Sequence, residues 1–146
     1  MKFKNFYVWR GKLPHWRADG VTYYTTFRHR RPLTEEERTI LLNTLLSLNG
    51  KKWDLHAVHV ELEKTDIIAS LDSVLRESVD LSKVLEPAKR KASNKIQKIV
   101  EEKYPLFYPE SYDRIIRDEA EYNDFLNEIT ASDLQEENNF LWIKSQ

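Results

Sequence analysis

Trp53-Asp54-Leu55-His56-Ala57-Val58-His59-Val60-Glu61-Leu62-Glu63-Lys64-Thr65-Asp66-Ile67-Ile68 reads as two strands in succession. Trp53 through Leu62 forms one run, and Glu61-Leu62-Glu63 leads into the next, Lys64 to Ile68. Upstream, Val21-Thr22-Tyr23-Tyr24-Thr25-Thr26-Phe27-Arg28 is β-branched and aromatic and predicts a strand with Tyr23, Thr25 and Phe27 on one face. Pro32-Leu33-Thr34-Glu35-Glu36-Glu37 opens a helix, with Thr34 as N-cap and Glu37 in the reciprocal capping position. Leu41, Leu42, Leu45, Leu46 and Leu48 supply its buried stripe, and Asn49-Gly50 stops it. Residues 5–20 lack periodicity and read as an irregular lead-in.

Downstream, Leu71 to Leu75 predicts a short helical piece, and Asp80 caps a longer helix from about Leu81 to Lys103. Pro87 should kink that helix or mark its first turn. Lys91, Lys95 and Lys98 line one face, and Val84, Ala88, Ala92, Ile96 and Val100 another. Tyr112 to Arg117 predicts a fourth strand. Asp118 and Glu121 cap a last helix with Phe125 and Ile129 turned inward, and Phe140-Leu141-Trp142-Ile143 docks on the sheet. The order strand, helix, strand, strand, helix, strand, helix implies an α+β, ferredoxin-like domain. Its antiparallel sheet would have helices mainly on one side.

At 146 residues the chain fits one domain spanning 1–146. With 40% hydrophobic and 32% charged residues it has a globular, soluble balance. No signal core and no membrane-length apolar run is visible, so a cytoplasmic protein is expected. The absence of Cys excludes disulfides and thiol catalysis. The net charge of -1 conceals segregation: residues 1–33 carry eight basic groups against Asp19, residues 83–98 six against Glu86, and residues 118–137 eight acids with no Lys or Arg. Such segregation suggests a basic and an acidic face, although charge runs are often only solvated surface.

Four stretches then align: Leu13-Pro14-His15-Trp16, Gly20 through Arg28, Trp53-Asp54-Leu55-His56-Ala57, and Glu110-Ser111-Tyr112-Asp113-Arg114-Ile115-Ile116-Arg117-Asp118-Glu119. In this order and spacing the chain resembles the REP-associated tyrosine transposases, relatives of the single-tyrosine HUH transposases, over nearly its whole length. The resemblance implies a ferredoxin-like HUH fold that binds a DNA hairpin and cleaves single-stranded DNA. It also implies a covalent tyrosine nucleophile and a divalent metal held by a His-hydrophobic-His pair.

The catalytic positions depart from that pattern. Ungapped counting places Lys64 and Asp66 at the two histidines, Glu128 at the tyrosine and Ser132 at a following Asn. Lysine is no metal ligand near neutral pH, and Asp66 alone is a weak candidate for Mg2+. His56 and His59, three apart on a strand, should face opposite ways unless a bulge intervenes. His29 reads as a surface residue. Tyr122 lies six residues before Glu128 and should face elsewhere, and Tyr104, Tyr108 and Tyr112 precede the helix.

No cofactor is expected, except Mg2+ or Mn2+ if the chain is active. The leading expectation is a catalytically disabled binder of hairpin or single-stranded DNA, RNA remaining open, acting as a monomer or weak dimer. Its phosphate-contacting residues would be Lys12, His15, Arg17, Arg28, Arg30, Arg31, Lys89, Arg90, Lys91, Lys95, Lys98, Arg114 and Arg117. Trp9, Trp16 and Tyr24 would stack on bases, the alternative being that such aromatics fill the core. A second expectation is a metal-dependent nuclease using Asp66 and Glu128 or a displaced tyrosine. A third is a protein-interaction module in which Lys64 pairs with Glu128.

Overall fold

The computed structural model describes residues 21–71, 81–130 and 140–144. Five strands and three helices follow in the order β1 (Val21–His29), α1 (Glu35–Ser47), β2 (Asp54–Val60), β3 (Lys64–Leu71), α2 (Leu81–Val100), β4 (Phe107–Ile115), α3 (Glu119–Thr130) and β5 (Leu141–Ile143). The sheet runs β4-β1-β3-β2-β5 with every neighbouring pair antiparallel. The α+β expectation holds. Leu71, expected to open a short helical piece, ends β3 instead; the rest of that piece and the Asp80 cap fall outside the described residues.

Each face of the sheet has its own core. Phe27, Leu55, Val58, Val60, Ile67 and Leu71 project toward α1 and α2, where they meet Leu41, Leu45, Val84, Leu85, Ala88, Ala92 and Ile96. Tyr24, Ala57 and Ile68 project the other way, against Ile116 and Ile129 with Tyr122, Phe125 and Leu126 of α3. Two helices therefore share one face and α3 takes the other.

Local chemistry explains the helix ends. The Thr34 hydroxyl accepts from the Glu37 N–H at 3.2 Å, and the Glu37 carboxylate accepts from the Thr34 N–H at 2.9 Å. Two orphan donors of the first turn are thereby satisfied. At α3 the Asp118 carboxylate accepts from the Glu121 N–H at 2.8 Å, but Glu121 reaches back to the Arg117 N–H rather than to its cap. α2 runs through Pro87 and stops before Glu101, whose φ of 57° is left-handed. Val100, the last residue of the helix, is exposed and not part of the buried stripe.

Several expectations on the strands need correction. β4 begins at Phe107, five residues before Tyr112, and leaves out Arg117; its Pro109 is tolerated on an edge strand. His29 is buried on the same side as Phe27, not exposed. Its Nδ1–H donates to the Leu62 carbonyl at 3.0 Å and its Nε2 accepts from the Thr65 hydroxyl at 2.8 Å. Burial lowers its pKa to about 4, because the charged ring would lose its hydration.

Candidate nucleic-acid interface

Because α2 buries Val84, Leu85, Ala88, Ala92 and Ile96, helical spacing turns Lys83, Arg90, Lys91, Asn94, Lys95 and Lys98 outward, and all six are exposed. No described acid pairs with Arg90, Lys91, Lys95 or Lys98. Lys89, at the boundary, behaves differently: its Nζ donates to the Tyr108 carbonyl at 2.9 Å, approaches Glu86 at 3.4 Å and sits 4.8 Å over the Phe27 ring. Burial lowers its pKa, with Glu86 opposing. Lys89 is therefore a structural cation below the exposed stripe.

A groove of about 250 Å³ lies between α2 and β4. Arg30, Lys89, Arg90, Asn94 and Tyr108 are among its lining residues, with Glu86 as its acid. The Arg30 guanidinium lies 4.7 Å from the centre of the Tyr108 ring. Reading the residues in order missed Tyr108 and Asn94 as neighbours of Arg30, because only the β1–β4 pairing and the packing of α2 bring them together.

On the opposite face, β3 places Lys64 and Asp66 two apart, and β1 places Arg28 beside Lys64. Lys64 Nζ is 3.5 Å from Asp66 and 4.0 Å from Glu61. The expected Lys64–Glu128 pair is not formed: Lys64 turns along its own strand to Asp66, while Glu128 is exposed on α3. The Tyr24 hydroxyl donates to Asp66 at 3.4 Å. Burial raises the Tyr24 pKa far above that of a free phenol, and the charges of Asp66 and Glu128 add to the rise. Burial likewise raises Glu61, with Asp66 adding and Lys64 opposing.

Tyr24 is buried and stacks on Phe125 at 4.4 Å, so its expected role on an unpaired base is overturned. Even-numbered residues of β1 face α3, which covers this ring.

The two histidines of β2 also differ from expectation. A register shift between Leu55 and Ala57 lets both His56 and His59 face α3. His56 Nδ1 is 3.0 Å from the Tyr122 hydroxyl and its Nε2 2.8 Å from Ser70 Oγ, while His59 Nδ1–H donates to the Ile129 carbonyl at 2.9 Å. Burial lowers the His56 pKa and raises that of Tyr122.

The remaining candidates are scattered. Arg28 is exposed. The Arg31 guanidinium holds Glu37 through two contacts of 2.8 and 2.7 Å and reaches Glu102 at 2.9 Å. Arg114 lies 5.5 Å over the Phe125 ring and 3.7 Å from Glu121, which also pairs with Arg117 at 2.9 Å. Lys12, His15, Trp16, Arg17 and Ser132, with Trp9, lie outside the described residues.

A His-hydrophobic-His metal grip does not fit what stands here. An ammonium occupies one position and faces the carboxylate at the other, and among the described residues no three His, Asp or Glu side chains are arranged to hold an ion.

No family model matches the sequence, and no curated protein is significantly similar to it. Among solved structures, a REP-associated tyrosine transposase bound to a REP hairpin superposes with a TM-score of 0.57 at 15% identity, covering 85% of this chain and 70% of that one. At that identity the likeness establishes a shared fold. The class is thus an α+β domain with the sheet-and-helix frame of that transposase.

Proposed function

We propose that this chain binds hairpin or single-stranded DNA through the outer face of α2 and does not cut it. The observation that carries the reading is the basic stripe Arg90, Lys91, Lys95 and Lys98, which no described acid pairs, set beside a groove lined by further cations and an aromatic ring. Phosphates supply the anionic spacing that such a stripe meets, and each contact displaces counterions. The shared fold supports the same reading, since the superposed transposase is bound to a DNA hairpin. Lys12, His15, Trp16 and Arg17 remain proposed contributors from the lead-in. Arg28, Arg114 and Arg117 lie on the opposite face and stand outside this contact set, the last two already paired with Glu121. Arg31 and Lys89 serve the fold rather than the ligand, because their donors are already engaged.

The absence of cleavage is proposed from chemistry. Lys64 and Asp66 neutralise each other, Glu128 is a carboxylate where a phenol would attack, and the Tyr24 phenol is held protonated by burial. We place the protein in the cytoplasm as a monomer or weak dimer; no described helix is long and apolar enough to cross a membrane.

Fluorescence anisotropy with hairpin, single-stranded and RNA oligonucleotides, titrated with salt, tests binding. Four phosphate contacts on a duplex stem give a slope of log K against log salt of about -3.6. A flat response, or no binding to any of the three, removes the reading. Incubation with labelled DNA and Mg2+ or Mn2+ tests the second half: shortened strands would point to water as nucleophile through Asp66 and Glu128. A covalent adduct would point to Tyr122, which has an imidazole on its hydroxyl.

A further inference from the structure

We infer that the groove between α2 and β4 is a subsite for one unpaired nucleotide of the bound strand, with its base stacked on the Arg30 guanidinium and its edge met by Asn94. The inference rests on the nucleic-acid reading above and adds a specific contact to it.

Size sets the first limit. At about 250 Å³ the groove falls just below the roughly 300–1,000 Å³ of sites for drug-sized ligands, which suits one base better than a folded segment. The walls set the second. The Arg30 guanidinium carbon stands 4.7 Å from the centre of the Tyr108 ring, so the ring holds the cation in place, and Arg30 is exposed for a base to reach it. Pro105 and Pro109 add apolar wall to the groove.

Hydrogen bonding narrows the ligand further. Ser93 donates to Gln97 at 3.1 Å and accepts from the Leu106 N–H at 3.1 Å, while Gln97 donates to the Glu102 carbonyl at 3.3 Å. The polar floor is thus satisfied internally. Asn94 is exposed in the same lining and has no hydrogen-bond partner among the described residues. Its amide both donates and accepts, as the edge of a base requires.

Charge connects the groove to the stripe. Arg30, Lys89 and Arg90 outweigh Glu86 within the lining. Arg90 belongs to both features, so a phosphate held there leaves the adjoining base at the mouth of the groove. A free inorganic anion would be drawn by the same charges but would make no use of the guanidinium plane of Arg30 or of Asn94.

The test uses the full chain and a hairpin DNA with a short single-stranded tail on either end, made with natural bases or with abasic sugars. Wild type should bind the base-bearing tail about tenfold more tightly. Arg30→Lys keeps the charge and loses the plane; it should bring the two DNAs within about twofold of each other while leaving the salt slope unchanged. Asn94→Ala should reduce discrimination among the four bases in the tail. Both residues are exposed, and a thermal melt verifies that the variants fold. Equal binding of the two tails by wild type, or a preference that survives both substitutions, overturns the subsite while the stripe stands. Absence of salt-sensitive binding to either DNA overturns the parent reading and the subsite with it.

Discussion

The two faces of the sheet carry similar residue types to opposite ends. On the α2 side, Arg90, Lys91, Lys95 and Lys98 stand exposed with no described acid ion-paired to them. On the α3 side, Lys64 meets Asp66 and Glu61, and Arg114 and Arg117 meet Glu121. A lysine is a ligand-seeking charge in the first setting and a neutralising partner in the second. The local counter-charge decides between them, not the count of basic residues, and the net charge of -1 hides the distinction.

The largest effect should come from removing the unpaired side. Changing Arg90, Lys91, Lys95 and Lys98 together to Gln should flatten the salt slope by about 3 to 4 and lower affinity for a hairpin by more than about a hundredfold at low salt. Far-UV circular dichroism should be unchanged, since all four side chains are solvated. Salt-dependent binding that persists at full strength would move the interface to the other face or to the lead-in.

That comparison should be made at neutral pH, because acid weakens the sheet that both faces share. The folded pKa of His29 is about 4 against an ordinary 6.5, so the unfolded chain binds the proton more readily. The stabilisation is complete above pH 6.5 and declines as pH falls toward 4, by about 3 kcal/mol in all. His56 is shifted in the same direction by burial. Urea unfolding between pH 7 and 4 should show the decline, and His29→Gln should flatten it. An unaltered slope in that variant would assign the acid sensitivity elsewhere.

A sharper version of the contrast lies within two consecutive residues. Arg31 is bonded to the buried Glu37 and to Glu102, whereas Arg30 lies open over Tyr108. Arg31→Gln should cost about 1–3 kcal/mol in stability, by stripping hydrogen bonds from a buried carboxylate, and leave affinity unchanged. Arg30→Gln should do the reverse. Thermal melts and anisotropy on both variants decide, and an Arg31→Gln protein of normal stability and weakened binding would erase the distinction.

What the residues in order disclosed, and what they did not, follows the same division between local and distant causes. The Thr34–Glu37 capping box is complete within four residues and was legible, as was the strand from Val21 with Phe27 turned inward. The layer occupied by α3 was not. Phe125 and Ile129 declare that a face is buried, but no local pattern says which side of the sheet receives it. His56 and His59 face one way because of a bulge that the alternation of β2 gives no hint of. Arg30 and Arg31 look alike until Glu102, 71 residues beyond Arg31, is placed beside one of them. The stripe on α2 was readable from spacing, but the groove beside it was not, since it needs β4 and α2 together.

The smallest effect should come from Lys64, and its smallness is informative. Lys64 stands on the α3 face beside the exposed Arg28, and its own side chain is 45% accessible, so exposure alone would make it a phosphate contact. Coulomb attraction from a carboxylate 3.5 Å away, buried and therefore poorly screened, competes with any phosphate that approaches from solvent. Occupying the ammonium with DNA would also take from Asp66 its cationic partner and bring a further anion toward Glu61. Lys64→Gln should therefore change hairpin affinity by less than about twofold and leave the salt slope within measurement error. One lost phosphate contact would instead reduce that slope by about 1. A change of that size would mean that the DNA lies across the α3 face after all, with Lys64 leaving its carboxylate to meet it.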